Sequence, residues 1–125
     1  MIARAHLHSF RQSARKVRAV LDLFRGLPVE RAFDVLVFTR ARPAEDILKL
    51  LRSAVANAGQ KGDYRPEGLF VSRCWADGGL MFKKMEPKAM LRNGVQKKRT
   101  CHVTIEVDEI KLETKKPGKG GGKKK

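Results

Sequence analysis

Cys101-His102-Val103-Thr104-Ile105-Glu106-Val107-Asp108 is the stretch from which the rest of the chain can be read. Val103, Ile105 and Val107 alternate with Thr104, Glu106 and Asp108, the period of two that turns one strand face to a core and the other outward. The outward face is acidic in a chain that is otherwise strongly basic. A second strand-forming run, Leu69-Phe70-Val71-Ser72-Arg73-Cys74-Trp75, follows the turn chemistry of Gly62-Asp63-Tyr64-Arg65-Pro66-Glu67-Gly68. Between the two strands lie about 25 residues, with Gly78-Gly79, Pro87 and Asn93-Gly94 as turn and bulge signals. A long antiparallel hairpin is the simplest connection. Arms of about twelve residues at ~3.3 Å each reach on the order of 40 Å, further than a globular body of this size needs, so the hairpin is expected to project.

Upstream the period changes to that of helices. Ser13 to Arg25 carries Val17, Val20, Leu21 and Phe24 at helical spacing, with Ser13 or Ser9 as candidate cap and Gly26 where a left-handed turn ends a helix. Arg11, Arg15, Arg18 and Arg25 fall within an arc of roughly 80° away from that stripe. Pro28 suits the first turn of a second helix running to about Phe38, and Pro43 the start of a third. In the third, Ala44, Ile47, Leu48, Leu51, Val55 and Ala58 share one arc and are expected to be core.

The 125 residues hold 28 Lys plus Arg against 13 Asp plus Glu, a formal charge of +15, with 42% hydrophobic residues. That length suits one domain, expected over residues 1–110, and the apolar content is enough to fold it. The surplus charge calls for a polyanion, because Lys and Arg that neutralise phosphates release condensed counterions. Its placement is uneven. In residues 78–102, Lys83, Lys84, Lys88, Arg92, Lys97, Lys98 and Arg99 are balanced only by Glu86. An isolated two-stranded ribbon is marginal in water, and one so cationic is expected to be surrounded by RNA. Residues 111–125 form a Lys/Gly tail with no side chain suited to a core, expected to be disordered when free.

Several classes fall away. Runs such as Val35-Leu36-Val37-Phe38 are far short of the roughly 20 apolar residues of a membrane span, so no membrane partner is expected. The N-terminus lacks the pattern of a secretory signal, and a cytoplasmic location is expected. Cys74 and Cys101 sit in apolar strands and are expected to be reduced and packed. No Walker A loop, nucleophile elbow, Rossmann fingerprint or paired zinc ligands are visible, so neither an enzyme, a metal site nor a cofactor is expected.

Three stretches together resemble the large-subunit ribosomal protein of family twenty-two in its bacterial form. They are Ser13-Ala14-Arg15-Lys16-Val17-Arg18 with Asp22-Leu23-Phe24-Arg25-Gly26, then Ser53-Ala54-Val55-Ala56-Asn57-Ala58, and finally Lys98-Arg99-Thr100-Cys101-His102-Val103-Thr104. The pattern covers roughly residues 2–108. The resemblance implies an α+β fold, three helices on a small three-stranded antiparallel sheet, with a hairpin threading large-subunit rRNA to line the nascent-peptide tunnel. It implies large-subunit rRNA, neighbouring large-subunit proteins and the nascent peptide as partners, and a role in subunit assembly. Carried over by position, the rRNA-binding residues would be Arg4, Arg11, Ser13, Arg15, Lys16 and Arg18 in the N-terminal part. On the hairpin they would be Lys83, Lys84, Lys88, Arg92, Lys98, Arg99, Thr100 and His102, with Met90, Leu91 and Arg92 at a tunnel-facing tip. For Thr100 and His102, contact with sugar or base edges and cross-strand packing are equal alternatives. The chain departs from the family at Met90, Leu91 and Val95, where Lys, Gly and Arg are expected, at Cys101 in place of Ser, and in a first hairpin arm one residue longer near Phe82 to Glu86. Its tip is therefore less cationic. The competing reading is a general nucleic-acid-binding protein driven by the basic tail.

Overall fold

The apolar stripes of three helices need a common surface to bury against, and the alternating strands supply it. The computed structural model describes residues 2–62, 64–90 and 92–109, which leaves the basic tail and Leu91 outside the described residues. In chain order the elements are β1 (Ala3–Phe10), α1 (Ala14–Phe24), α2 (Val29–Phe38), α3 (Ala44–Lys61), a single 3-10 turn at Pro66–Gly68, β2 (Leu69–Pro87) and β3 (Asn93–Glu109). The sheet is antiparallel in the order β1-β3-β2, and the helices pack on one of its faces. This is the α+β architecture that the family resemblance implies, with helices and strands where the periodicity places them.

Helix α1 buries Val17, Val20, Leu21 and Phe24. Ser13 occupies its N-cap with extended backbone, but its side chain makes no capping hydrogen bond, and Ser9 lies in β1. Gly26 takes φ +77°, the left-handed conformation that costs a residue without Cβ least, and its N–H donates to the Val71 carbonyl at 3.0 Å. In return the Val71 N–H donates to Leu27, which ties the α1–α2 turn to β2. Pro28 and Pro43 stand at the N-caps of α2 and α3. The stripe of α3 is rotated from the expected arc: Leu50 and Ala54 are buried, while Leu48 and Val55 are half-buried. The helix packs on α2 and on β1 together, so its buried face is wider than a single partner would make it.

Inward residues of the sheet are Ala3 and Ala5 from β1, Val71, Cys74 and Ala76 from β2, and Cys101, Val103, Ile105 and Val107 from β3. Val71 and Cys74 face the same way although three residues apart because the register shifts between Val71 and Arg73, absorbing one residue in a bulge. Both outer strands are covered by side chains from the helices, which limits the exposed backbone that invites edge pairing. On β1, Asn57 Nδ2 donates to the Arg4 carbonyl at 3.0 Å and Lys61 Nζ to that of Ile2 at 3.0 Å. On β2, Arg18 donates through Nε (3.0 Å) and Nη2 (2.7 Å) to the Ala76 carbonyl, and Arg25 Nη2 to that of Cys74 at 3.1 Å.

The acidic outward face of β3 differs from expectation. Thr104 and Glu106 are only 6% and 8% exposed, because β3 is the central strand and their cross-strand neighbours Arg4, His6, Arg73 and Trp75 shield them. The hairpin is not a separate ribbon either. Pairing runs from Leu69 opposite Glu109 to Pro87 opposite Asn93, with a second bulge between Gly78 and Met81, so the core strands themselves extend outward. Beyond Gly78 the arms extend roughly 30 Å at ~3.3 Å per residue, and the Lys88 N–H closes the tip on the Arg92 carbonyl at 2.8 Å.

Cys74 and Cys101 are buried free thiols. Burial pushes both thiols up, against the opposing pull of Arg25 on Cys74 and of Arg18 on Cys101. A raised thiol holds less thiolate at neutral pH, so both should resist alkylation in the native protein and react only after denaturation, as followed by mass spectrometry. Phe24→Ala should destabilise the fold by about 3–5 kcal/mol in urea unfolding, whereas Phe38→Ala, at a site 83% exposed, should change it by less than about 0.5 kcal/mol.

Candidate nucleic-acid interface

At its C-terminal end β1 turns through Arg11, Gln12 and Ser13 into α1, beside the place where the ribbon leaves the sheet. The two segments enclose an open cleft of about 700 Å³. Arg11, Gln12, Ser13 and Lys16 line it from the α1 side, Arg42 from the turn before α3, and Phe82, Lys97, Lys98, Arg99 and Thr100 from the ribbon. Six of these are cations and none is an acid. Among the described residues none of the six makes an ion pair, whereas Arg25 is spent on Asp22 at 2.7 Å and Lys49 on Glu45 at 2.9 Å. The first turn of α1 carries no acid and Ser13 does not cap it, so the positive end of that helix adds to the same field. Like charges gathered so closely repel, and a bound anion is what relieves them.

A second opening of about 560 Å³ lies around Ser13, Ala14, Arg15, Gly78, Gly79, Met81, Arg99 and Thr100. Ser13, Arg99 and Thr100 border both, so the root of the ribbon is flanked by cavities. The root is closely fitted. A Cβ on Gly79 would stand 2.6 Å from Thr100 Oγ1 and 3.1 Å from His102 Nε2, which explains glycine at this bulge. The Thr100 hydroxyl donates to the Leu80 carbonyl at 2.7 Å, a cross-strand bond that holds the arms together as they leave the core.

The cleft thus unites Arg11, Ser13, Lys16, Lys98, Arg99 and Thr100 from distant parts of the sequence, with Arg15 in the adjoining opening. Arg18 is bound to the Ala76 carbonyl. Arg4 lies on the outward face of β1 opposite Glu106, and His102 on the same face of β3, where its Nδ1 accepts the Ser9 N–H at 3.1 Å. Lys83, Lys84, Lys88 and Arg92 are exposed along the outer ribbon. Met90 stands at the tip with φ 58° and 88% exposure, and Leu91 is outside the described residues. Arg42, Lys97 and Phe82 are functional candidates that reading by position misses. Arg40-Ala41-Arg42-Pro43 is a local basic signal, but nothing in the spacing brings Arg42 to the ribbon.

Cross-strand pairing gives the ribbon two faces. Phe82 with Lys98 and Lys84 with Gln96 occupy one, and Met81 with Arg99, Lys83 with Lys97 and Met85 with Val95 the other. Cations mix with apolar groups near the root, whereas Met85, Val95 and Met90 make the outer end more apolar; each is more than half exposed. Among the described residues no group of His, Cys, Asp and Glu is arranged to hold a metal ion, and no helix is long and apolar enough to cross a membrane.

Residues 5–108 match the family described as ribosomal protein L22p/L17e. The chain is 43% identical over 115 residues to the large ribosomal subunit protein uL22 of Heliobacterium modesticaldum, covering 92% of this chain and 78% of that one. It is 42% identical to the protein of the same name from Thermoanaerobacter sp. strain X514, covering 87% and 98%, and 43% identical to that of Citrifermentans bemidjiense, covering 89% and 100%. With the match running from within β1 to Asp108 of β3, and identity at this level over most of the length, the chain belongs to the ribosomal protein L22p/L17e family.

Proposed function

We propose that the chain is a structural constituent of the large ribosomal subunit that binds large-subunit rRNA through the cleft at the hairpin root and along the ribbon. The observation that carries this reading is the acid-free cluster of Arg11, Lys16, Arg42, Lys97, Lys98 and Arg99, built from three separate segments. Lys presents a point charge to a phosphate and Arg a planar fork, so the cluster suits a folded RNA backbone in which phosphates converge. The ribbon beyond Gly78 lacks a core of its own, and RNA packed on both faces would supply the surroundings that water does not. Placing such a ribbon during assembly would join RNA segments that the helical body alone cannot reach.

In this reading residues 1–110 act as one RNA-binding unit in the cytoplasm. The basic residues 111–125 would add sequence-independent attraction. The tip lines the nascent-peptide exit tunnel, where Met85, Met90 and Val95 suit passing polypeptide better than phosphate. Leu23, Val37 and Phe38, exposed on α1 and α2, suit a neighbouring large-subunit protein. No reaction is assigned to the chain; its work is positional.

Removing residues 111–125 should leave the protein on the large subunit in high-salt sedimentation, whereas dependence on the tail would favour the general nucleic-acid binder. Arg42→Ala and Lys97→Ala should each lower the slope of log K against log salt for large-subunit rRNA by about 1, and Lys49→Ala should not. Arg18→Ala should lower folding stability by about 1.5–3 kcal/mol in urea unfolding, because it removes the charged donor to Ala76. A photocrosslinking residue at Met90 should capture nascent peptide in translating ribosomes, and one at Phe38 should not.

A further inference from the structure

The helices cover one face of the sheet, and among the described residues no helix or strand covers the other. That open face carries all three histidines of the chain and its only tryptophan. His6 and His8 project from β1 with ring centroids 5.9 Å apart and planes 28° from parallel, and His8 meets His102 of β3 edge-on at 5.6 Å. Trp75 of β2 stands across Thr104 from His6, since Thr104 pairs with both. The histidine ladder and the indole therefore border one strip of that face, on which His6, His8 and Trp75 are exposed and Thr104 between them is covered.

The ladder is held in place. Ser9 has φ 52°, a left-handed conformation for a residue with a side chain, within the register shift between Leu7 and Phe10. That turn aims its N–H at His102 Nδ1, 3.1 Å away. Accepting at Nδ1 fixes the orientation of the His102 ring on the strip. His6 Nδ1 is likewise engaged, 2.8 Å from Thr104 Oγ1. The charges around the strip are mixed: Arg4 and Arg73 on the same face are offset by Asp77 and Glu106. This is a poor phosphate site and a good aromatic one. Strand β3 runs directly from Thr100 in the cationic cleft to His102 on the strip, so the two sites are contiguous along one strand.

We propose that the strip bordered by His6, His8, His102 and Trp75 is a stacking site for an unpaired base of the large-subunit RNA, extending the phosphate-binding cleft onto the open sheet face. Unstacked bases are commonly held on aromatic and imidazole rings, and stacking needs no net charge. The inference rests on the RNA-binding reading above and adds to it a base contact that ring faces make.

The test uses the full chain and a large-subunit rRNA transcript, with binding measured across a range of salt. His8→Ala should weaken binding about 5- to 150-fold, the range given by alanine substitution at stacking positions, with no change in the salt slope. His8→Phe should restore affinity and His8→Lys should not. Trp75 emission in the unmodified chain should be quenched by the transcript and not by heparin, a polyanion without bases, which keeps a readout independent of any variant's folding. Equal quenching by heparin, rescue by Lys in place of Phe, or wild-type affinity in His8→Ala would each overturn the stacking site. Failure of the unmodified chain to bind the transcript would instead overturn the RNA-binding reading itself.

Discussion

Strand β3 is shared between two environments, and the rest of the molecule depends on that sharing. Its C-terminal part, Val103 to Val107, is the central strand of the core sheet and is bonded on both sides. Its N-terminal part, Asn93 to Arg99, is one arm of an exposed ribbon bonded only to β2. The ladder is continuous, so the packed half sets the register and direction of the unpacked half. A ribbon of this kind has little stability of its own in water. Here it is anchored by a core that includes Ile105, Val107 and Phe24, and strained or close-fitting positions gather where core gives way to ribbon: the Gly79 bulge, the Thr100 bond to Leu80 and the turn at Ser9.

The same geometry sorts the positive charge. Arg18 on α1 and Arg25 just past its C-terminal end reach carbonyls two residues apart on β2, so both cover the backbone of an outer strand. Asn57 and Lys61 do the same on β1. These side chains give up their donors to the fold. The cations around the cleft have no such partner among the described residues, which leaves their field available to an anion. A count of charge treats the two groups alike, yet one group holds the sheet and the other faces outward.

Several of these distinctions lay beyond periodicity. The third helix was legible as amphipathic, but Leu50 and Ala54 replaced Leu48 and Val55 in the fully buried set because α3 answers to two partners rather than one. Glu106 read as a solvated outward residue, and it is nearly buried because β3 has a neighbour on each side. The bulge between Val71 and Arg73 returned Cys74 and Ala76 to the core side, which alternation counted from Val71 does not foresee. At the site, the basic run around Lys98 and Arg99 was visible as such. Arg42 and Phe82 joined it only through the approach of a turn and a strand far apart in the chain.

What the amino-acid sequence by itself determined was local and periodic: three helices with their start and stop residues, a strand with one apolar face, a basic segment long enough to project, and motifs specific enough to indicate a family. Those features follow from the spacing of apolar side chains and from residues such as Gly26, Pro28 and Pro43, whose backbone preferences act within a few positions. Only the tertiary structure decided that β3 is central, that the ribbon continues the core strands, which arginines serve the sheet and which border the cleft, and that three histidines share one face. Each of those outcomes depends on pairing between segments as far apart as Ala3 and Val107, where register and packing, rather than the identity of either residue, choose the neighbour.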